Sequence, residues 1–217
     1  MDENESPHGN APVRHGEEWA NALTHGLATI AAAILGGLLI YKASGIGKGM
    51  AIACLAYTVS VVATFTSSTL SHAIFRQPLL DRLRAWDQAM IYAMIAGTYT
   101  PIIWRHAPTA ISIPLLSAVW IAAFAGIAMK LFAQHRINNV ATVGYLLLGW
   151  LPSIPLYPYV PAAVGQGMLL GGTLYSIGVA VLMQDHRGHY LHSVWHLIVM
   201  SAALAHFLTI QWYVVGV

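Results

Sequence analysis

The strongest chemical signal in the sequence is a pair of histidines near the C-terminus. His192 and His196 are four residues apart, so on a helix both imidazoles lie on one face, one turn from each other. Two histidines at this spacing commonly supply half of a metal site. The spacing alone fits two interfacial polar side chains equally well, so the distinction depends on whether other segments bring ligands to the same place.

Three further groups are candidates for that role: Ser68, His72 four residues after it, and Asp87. Three neutral imidazoles with an open fourth position are the ligand set of a catalytic zinc site. A neighbouring carboxylate orients a ligand or deprotonates a water. Structural explanations stand beside these: Asp87 is favoured in the first turn of a helix and could pair with Arg84. Ser68 could simply bond a backbone carbonyl.

The elements that would position these groups are membrane-spanning helices. Only 8 % of the 217 residues are charged and 57 % are hydrophobic, whereas soluble domains are roughly 25 % charged. The composition therefore disfavours a soluble enzyme and a disordered regulator, and the net charge of +2 gives no indication of a nucleic-acid partner. A helix needs about 20 apolar residues to cross the hydrocarbon core. The uncharged runs, with prolines dividing the longest, predict seven helices near residues 21–42, 48–73, 84–104, 110–130, 138–156, 162–184 and 190–215.

The basic residues between these helices predict the orientation. Seven fall on the N-terminal side and three on the other: Arg14, Arg76, Arg82, Arg84, Lys130, Arg136 and Arg187 against Lys42, Lys48 and Arg105. Because cytoplasmic loops carry the excess of lysine and arginine, we expect the N-terminus inside and the C-terminus outside. The sequence thus predicts an all-α polytopic membrane protein, with a disordered polar tail over residues 1–16 and a seven-helix domain over 17–217.

In that topology the candidate groups come from separate helices but share one depth. His72 ends the second helix, Asp87 begins the third, and His192 and His196 begin the seventh, all at the inner face. Ionisable residues inside a membrane are costly and are candidates for function by default. The convergence therefore predicts a metal site just below the inner surface.

Two other histidines lie within predicted helices. His25, near the inner end of the first helix, could approach the site, although no spacing requires it. His206 follows His196 by ten residues, about 15 Å deeper at 1.5 Å per residue, so we interpret it as a polar contact between helices. Gly167 and Gly171 form a GxxxG pattern that predicts close helix packing.

Four segments resemble the hemolysin III branch of the progestin and adipoQ receptor family, which includes the adiponectin receptors. They are the EEWANALTHG run at 17–26, Ser68 to His72, Asp87 followed by the IYAMIAGTYTP run at 91–101, and His192 to His196. The order of serine, histidine, aspartate and paired histidines is specific, and the AGTYTP run more so. The similarity in length and span number covers nearly the whole chain. Gln88 departs from the pattern, because many bacterial relatives carry histidine there.

The resemblance implies a zinc protein of the bacterial inner membrane. Carried to this chain, it makes His72, His192 and His196 the zinc ligands. Asp87 would hold the catalytic water, and Ser68 would stand behind the ligands or polarise a substrate carbonyl. It also implies hydrolysis of a lipid amide or ester bond, similar to alkaline ceramidases, with membrane lipids as partners and a role in lipid homeostasis.

Other functions stay open at this point, including whether the protein is an enzyme at all. A membrane-state sensor or regulator with structural zinc would use the same ligands. A haemolysin-type pore would need polar residues along one face through the whole bilayer, whereas the polar groups here cluster at one end. Histidines facing each other could also ligate haem. A retinal protein is disfavoured, because the seventh helix has no lysine for a Schiff base.

Overall fold

The computed structural model describes residues 14–132 and 138–216. Within these ranges the chain is helical and contains no strand. The helices of 13 residues or more are α1 His15–Ser44, α2 Lys48–Ala73, α3 Leu79–His106, α4 Thr109–Phe132, α5 Asn138–Trp150, α6 Ala162–Leu182 and α7 Leu191–Tyr213. A four-residue helix, Ser153–Leu156, and a 3₁₀ turn, Tyr157–Tyr159, connect α5 to α6, and a second 3₁₀ turn, Asp185–Arg187, precedes α7. The predicted all-α architecture is confirmed.

The outer surface of the bundle is apolar. Leu27, Ile121 and Phe132 are 67 %, 68 % and 81 % exposed, and such side chains on a soluble protein would form large adhesive patches. In the described residues five helices, α1, α2, α4, α6 and α7, are long and apolar enough to cross a membrane. The protein is therefore a multi-pass integral membrane protein. The count of seven spans and the inward N-terminus stay predictions.

Two helices begin earlier than the uncharged runs predict. α1 begins at His15 rather than near residue 21, and α3 begins at Leu79 rather than near 84. Both first turns carry acidic residues, Glu17 and Glu18 in α1 and Asp81 in α3, which the helix dipole favours at this end. A prediction that places helices only in uncharged runs leaves out first turns that contain charged residues. Residues 1–13 of the predicted tail lie outside the described residues, whereas its last two residues, His15 and Gly16, belong to α1.

The fifth helix is shorter than predicted. α5 ends at Trp150 instead of reaching residue 156. Pro152 and Pro155 follow immediately, and proline lacks the N–H needed to continue the backbone ladder. The chain resumes helical geometry only for the single turn Ser153–Leu156.

Helices that are adjacent in sequence pack against each other, and α1 also packs against α7. Small residues permit the closest approaches. A Cβ added at Gly167 would lie 2.0 Å from Thr209 Oγ1, and one at Gly171 would lie 2.3 Å from His206 Nε2. The close packing predicted from the GxxxG pattern is therefore confirmed between α6 and α7. We call the end of the bundle where α1, α3 and α7 begin and α2 ends the histidine end.

Candidate metal centre

The three predicted histidine ligands meet at the histidine end. His72 comes from the last turn of α2, and His192 and His196 come from the first turns of α7. Their ring centroids form a nearly equilateral triangle with sides of 5.0 Å (72 to 192), 5.1 Å (72 to 196) and 4.9 Å (192 to 196). One potential ligand atom from each residue lies within 4.8 Å of the other two. The group could therefore hold one metal ion.

Carboxylates contact the Nδ1 atoms of two of these rings. His72 Nδ1 lies 2.5 Å from Glu18 Oε2, on α1, and His192 Nδ1 lies 3.3 Å from Asp185 Oδ2, in the turn before α7. An imidazole that donates Nδ1–H to a carboxylate keeps the lone pair of Nε2 for a metal. Both contacts therefore direct Nε2 of their histidine toward the shared space.

The third ring is held by a hydroxyl. Thr24 Oγ1 lies 3.2 Å from His196 Nδ1, and the same hydroxyl donates to the backbone carbonyls of Ala20 and Asn21 at 3.0 and 2.9 Å. Because the single hydroxyl proton is directed to the backbone, the oxygen accepts from His196 Nδ1–H. His196 thus keeps Nε2 free, as the other two histidines do.

The surroundings of one ring nitrogen indicate whether a metal ion fits this group. His72 Nε2 is buried without a hydrogen-bond partner, and an orphaned polar atom of this kind is unfavourable unless something binds it. A set of three neutral imidazoles suits Zn²⁺ and related transition ions better than Mg²⁺ or Ca²⁺, which prefer oxygen. The donor set therefore fits a zinc-like cation.

Asp87 lies beside the triangle but is not one of its corners. Ser71 Oγ is 3.0 Å from Asp87 Oδ2 and 2.9 Å from the Ser68 carbonyl oxygen, and the Ser68 hydroxyl is a further partner of the Asp87 carboxyl. The carboxylate interacts electrostatically with His72 and His192. Serines from α2 thus hold Asp87 next to the histidines while leaving the ligand triangle to the imidazoles.

The residue after Asp87, Gln88, has partners on two other helices. Gln88 Oε1 accepts a hydrogen bond from Lys130 Nζ at 2.8 Å, and the Gln88 carbonyl accepts one from the Tyr145 hydroxyl at 2.8 Å. Lys130 is 3 % exposed. Gln88 therefore connects α3 to α4 and α5 without touching the ligand triangle.

His25 and His206 take different positions. His25 stacks on His196 with ring centroids 3.6 Å apart and planes 4° apart, and both of its ring nitrogens are buried without a hydrogen-bond partner. His206 packs deeper in the bundle, against Gly171 and the Tyr175 ring. The expected interhelical position of His206 is therefore observed, whereas the stacking of His25 on a candidate ligand could not be read from spacing.

The sequence analysis does not predict the partners of the three histidines, Glu18, Thr24 and Asp185, or the bond from Ser71 to Asp87. One signal was present in the EEWANALTHG run. Glu18, Asn21 and His25 follow each other by three and four residues, which is the spacing of one helical face. Polar residues repeated on one face of an apolar helix indicate a buried polar neighbour.

A large cavity adjoins this region. It has a volume of about 870 Å³, lies between α3, α5, α6 and α7, and is lined mainly by apolar side chains. Ile91, Tyr145 and Trp195 line its part nearest the histidine end, and Trp150, Tyr157 and Pro161 line the opposite part. Its mainly apolar walls suit a hydrocarbon chain better than a polar metabolite.

Fold and site together define a class: a multi-pass helical membrane protein with a three-histidine group that is compatible with metal binding. Comparison with known proteins specifies the family. A family model described as "Haemolysin-III related" matches residues 13–207, so the chain belongs to the haemolysin-III related family.

Curated relatives agree with that placement. The chain is 34 % identical to the Hemolysin-3 homolog of Bacillus subtilis over 93 % of its own length and 96 % of the relative's. It is 33 % identical to Hemolysin-3 of Bacillus cereus, covering 91 % and 92 % of the two chains. It is also similar to the human Monocyte to macrophage differentiation factor, at 25 % identity over 91 % and 84 %. These matches confirm the expected family and the membrane location.

Proposed function

We propose that this protein is a zinc-dependent hydrolase that cleaves an amide or ester bond of a membrane lipid. The observation that carries the proposal is the triangle of His72, His192 and His196, in which each Nδ1 has a partner and one potential ligand atom from each residue lies within 4.8 Å of the others. Three imidazoles leave a fourth coordination position for water or substrate, which is the arrangement of catalytic zinc.

The roles of the surrounding residues follow from their positions. Zinc, when bound, supplies Lewis acidity that polarises a carbonyl and acidifies a water. Asp87 takes a proton from the attacking water and returns it to the leaving amine or alcohol. Ser68 and Ser71 hold the Asp87 carboxylate by hydrogen bonds, which keeps it oriented toward the substrate.

The adjoining cavity supports a lipid substrate. Tyr145 lines it and bonds the backbone of Gln88, next to Asp87, so the cavity wall and the proposed base are neighbours. An acyl chain in the cavity would place its carbonyl near the histidine end. Because the walls are mainly apolar, the cavity suits hydrocarbon better than a stream of water and ions, which argues against a pore.

A regulator with structural zinc is the competing function. In such sites the fourth position is closed by a protein ligand, and Asp87 would be the residue to close it. Among the described residues, the group with ligand atoms in common reach consists of the three histidines without Asp87. The open position supports the hydrolase over the regulator.

Separation of metal binding from catalysis tests the proposal. Wild-type protein purified in detergent is analysed for zinc and incubated with ceramides and phospholipid esters, and released fatty acid is measured by mass spectrometry. We expect Asp87→Asn to keep its zinc while hydrolysis falls by about 100-fold or more, the usual contribution of a general base. Asp81→Asn, at the start of the same helix, is the matched control and should retain activity. Hydrolysis that survives in Asp87→Asn, or protein without zinc, would refute the proposal.

A further inference from the structure

The first three turns of α1 contain a row of polar residues that face the candidate metal centre. Glu18 contacts His72, Asn21 Oδ1 accepts from Ser193 Oγ at 2.6 Å, Thr24 contacts His196, and His25 stacks on His196. We call Glu18, Asn21, Thr24 and His25 the α1 stripe. The opposite face of this part of α1 carries Trp19, Leu23 and Leu27, which are exposed. α1 thus presents polar groups inward and apolar groups to the lipid.

Helix packing brings the α1 stripe into contact with both helices that carry candidate ligands. The candidate ligands come from two helices that are far apart in sequence. α2 packs against α1 and α3, and α7 packs against α6, α1 and, less extensively, α3. α1 therefore makes the larger combined contact with the two helices that carry the candidate ligands through its packing on α7. Its polar contacts reach 54 residues along the chain to His72 and 172 residues to Ser193 and His196.

We propose that the α1 stripe positions the metal ligands, with Glu18 setting the ring of His72 and Thr24 setting the ring of His196. This inference rests on the proposed metal centre but adds a role for residues outside the ligand set. The bond from Ser193 to Asn21 fixes the first turn of α7, and therefore the spacing between its two histidines and α2. Glu18 and Thr24 are positioning residues in this scheme, because they contact the ligands and not the metal.

The energetic basis is orientation of the ligand and of its proton. An acceptor behind Nδ1 fixes the tautomer with a free Nε2, fixes the rotation of the ring, and makes Nε2 a stronger donor. Loss of such a partner typically weakens metal binding by about 10- to 100-fold. The stacked His25 ring further restricts His196 to one plane, since the two rings lie 4° from parallel.

The neighbouring glutamate provides a matched control. Glu17 is also in the first turn of α1 and also contacts a histidine, with Oε1 2.9 Å from His189 Nδ1. The His189 side chain is 74 % exposed and is not part of the triangle. Glu17→Ala and Glu18→Ala therefore remove the same group from adjacent positions, and only the second removes a contact to a candidate ligand.

The test is a zinc competition titration of full-length protein in detergent against a chromogenic chelator. We expect Glu18→Ala to weaken zinc binding by about 10- to 100-fold, Glu18→Gln to weaken it less because the amide oxygen still accepts from Nδ1–H, and Glu17→Ala to change it less than twofold. With Co²⁺ as the probe, the visible absorption bands should shift in Glu18→Ala and not in Glu17→Ala. A merely structural role of Glu18 would not change the spectrum of the ion that remains bound.

A second pair keeps the inference testable if Glu18→Ala fails to fold. Thr24→Val preserves shape and removes the acceptor for His196, whereas Thr29→Val removes a hydroxyl that bonds only within α1, to the His25 carbonyl. We expect weaker zinc binding in the first and unchanged binding in the second. Equal affinities within both pairs would overturn the positioning role while leaving the hydrolase proposal intact. Wild-type protein that binds no zinc would overturn both.

Discussion

The histidine end and the cavity are neighbouring regions of the bundle that are lined by different kinds of side chain. At the histidine end, hydrogen bonds join residues on different helices, as between Glu18 and His72. In the cavity wall, Thr98 and Ser176 donate to carbonyls of their own helices, while Tyr99 donates to the Gly149 carbonyl of a neighbouring helix. The two regions differ in what their side chains present: three histidines converge at the histidine end, whereas the cavity is lined mainly by apolar side chains. Substitutions should therefore impair metal binding at the histidine end and acyl-chain binding in the cavity.

The largest effect should come from the ligands themselves. We expect the double variant His192→Ala, His196→Ala to lose essentially all bound zinc, since one remaining imidazole cannot hold the ion at ordinary concentrations. His189→Ala, three residues before the pair and exposed, should keep a full equivalent. Elemental analysis after gel filtration measures both. Equal zinc contents in the double variant and in His189→Ala would show that the histidine end does not hold the metal.

Substitutions in the cavity wall should affect activity through the volume of the side chain rather than through its polarity. Val179 lines the cavity, whereas Ile177 on the same helix is 49 % exposed on the outer surface. We expect Val179→Phe to lower kcat/KM for long-chain substrates by about tenfold, equivalent to about 1.4 kcal/mol, and to leave zinc content and short-chain substrates nearly unchanged. Ile177→Phe should leave both chain lengths unaffected. A loss of zinc in Val179→Phe would show that the two regions are not separable.

Metal removal should affect stability only through the histidine end. Zinc at about 100 times its dissociation constant stabilises the folded state by about 2.7 kcal/mol, which for a chain of this size corresponds to about 5 to 10 °C in Tm. We expect a chelator to lower the Tm of the wild type by that amount, measured by the fluorescence of its tryptophans in detergent. The double histidine variant should show no change on chelation. A shift of the same size in that variant would contradict binding at this site.

The smallest effect concerns packing beside the cavity. A Cβ at position 167 would lie 2.0 Å from Thr209 Oγ1 and 2.9 Å from Thr209 Cβ, whereas one at position 165 would meet nothing closer than 3.9 Å. Gly167→Ala should therefore destabilise the protein by about 1 to 3 kcal/mol through overpacking. Gly165→Ala should be neutral or stabilising by up to about 1 kcal/mol, because alanine is the better helix former. Thermal unfolding distinguishes them, and zinc affinity should be the same in both.

Much of the histidine end was predictable because its signals are local or topological. The four-residue spacing of His192 and His196, and the position of His72 at the end of an apolar run, are visible in the sequence. Alternating helix direction then places them at one face. The partners of these rings were not predictable in the same way, because Thr24 and His196 are separated by 172 residues and only the packing of α1 on α7 brings them together.

The cavity was not predicted, since nothing in a single apolar helix says how far its neighbour stands from it. Val179 and Met94 are apolar residue types that are common in any core. Only their positions around a cavity of about 870 Å³ distinguish them from other core residues. The short α5 illustrates the same limit. Prolines after Trp150 were visible, but the length of helix that would form before them depends on how the chain turns back toward α6.

The internal position of Lys130 has a consequence for how the bundle can move. Its ammonium donates to Gln88 while the residue is 3 % exposed, so turning α4 about its long axis would carry a positive charge toward hydrocarbon. Lys130 is in the last turn of α4, so such a rotation would also break its hydrogen bond to Gln88, and hydrogen bonds to charged groups contribute about 1.5 to 3 kcal/mol. Rotation of α4 against α3 is therefore opposed at this end of the helix.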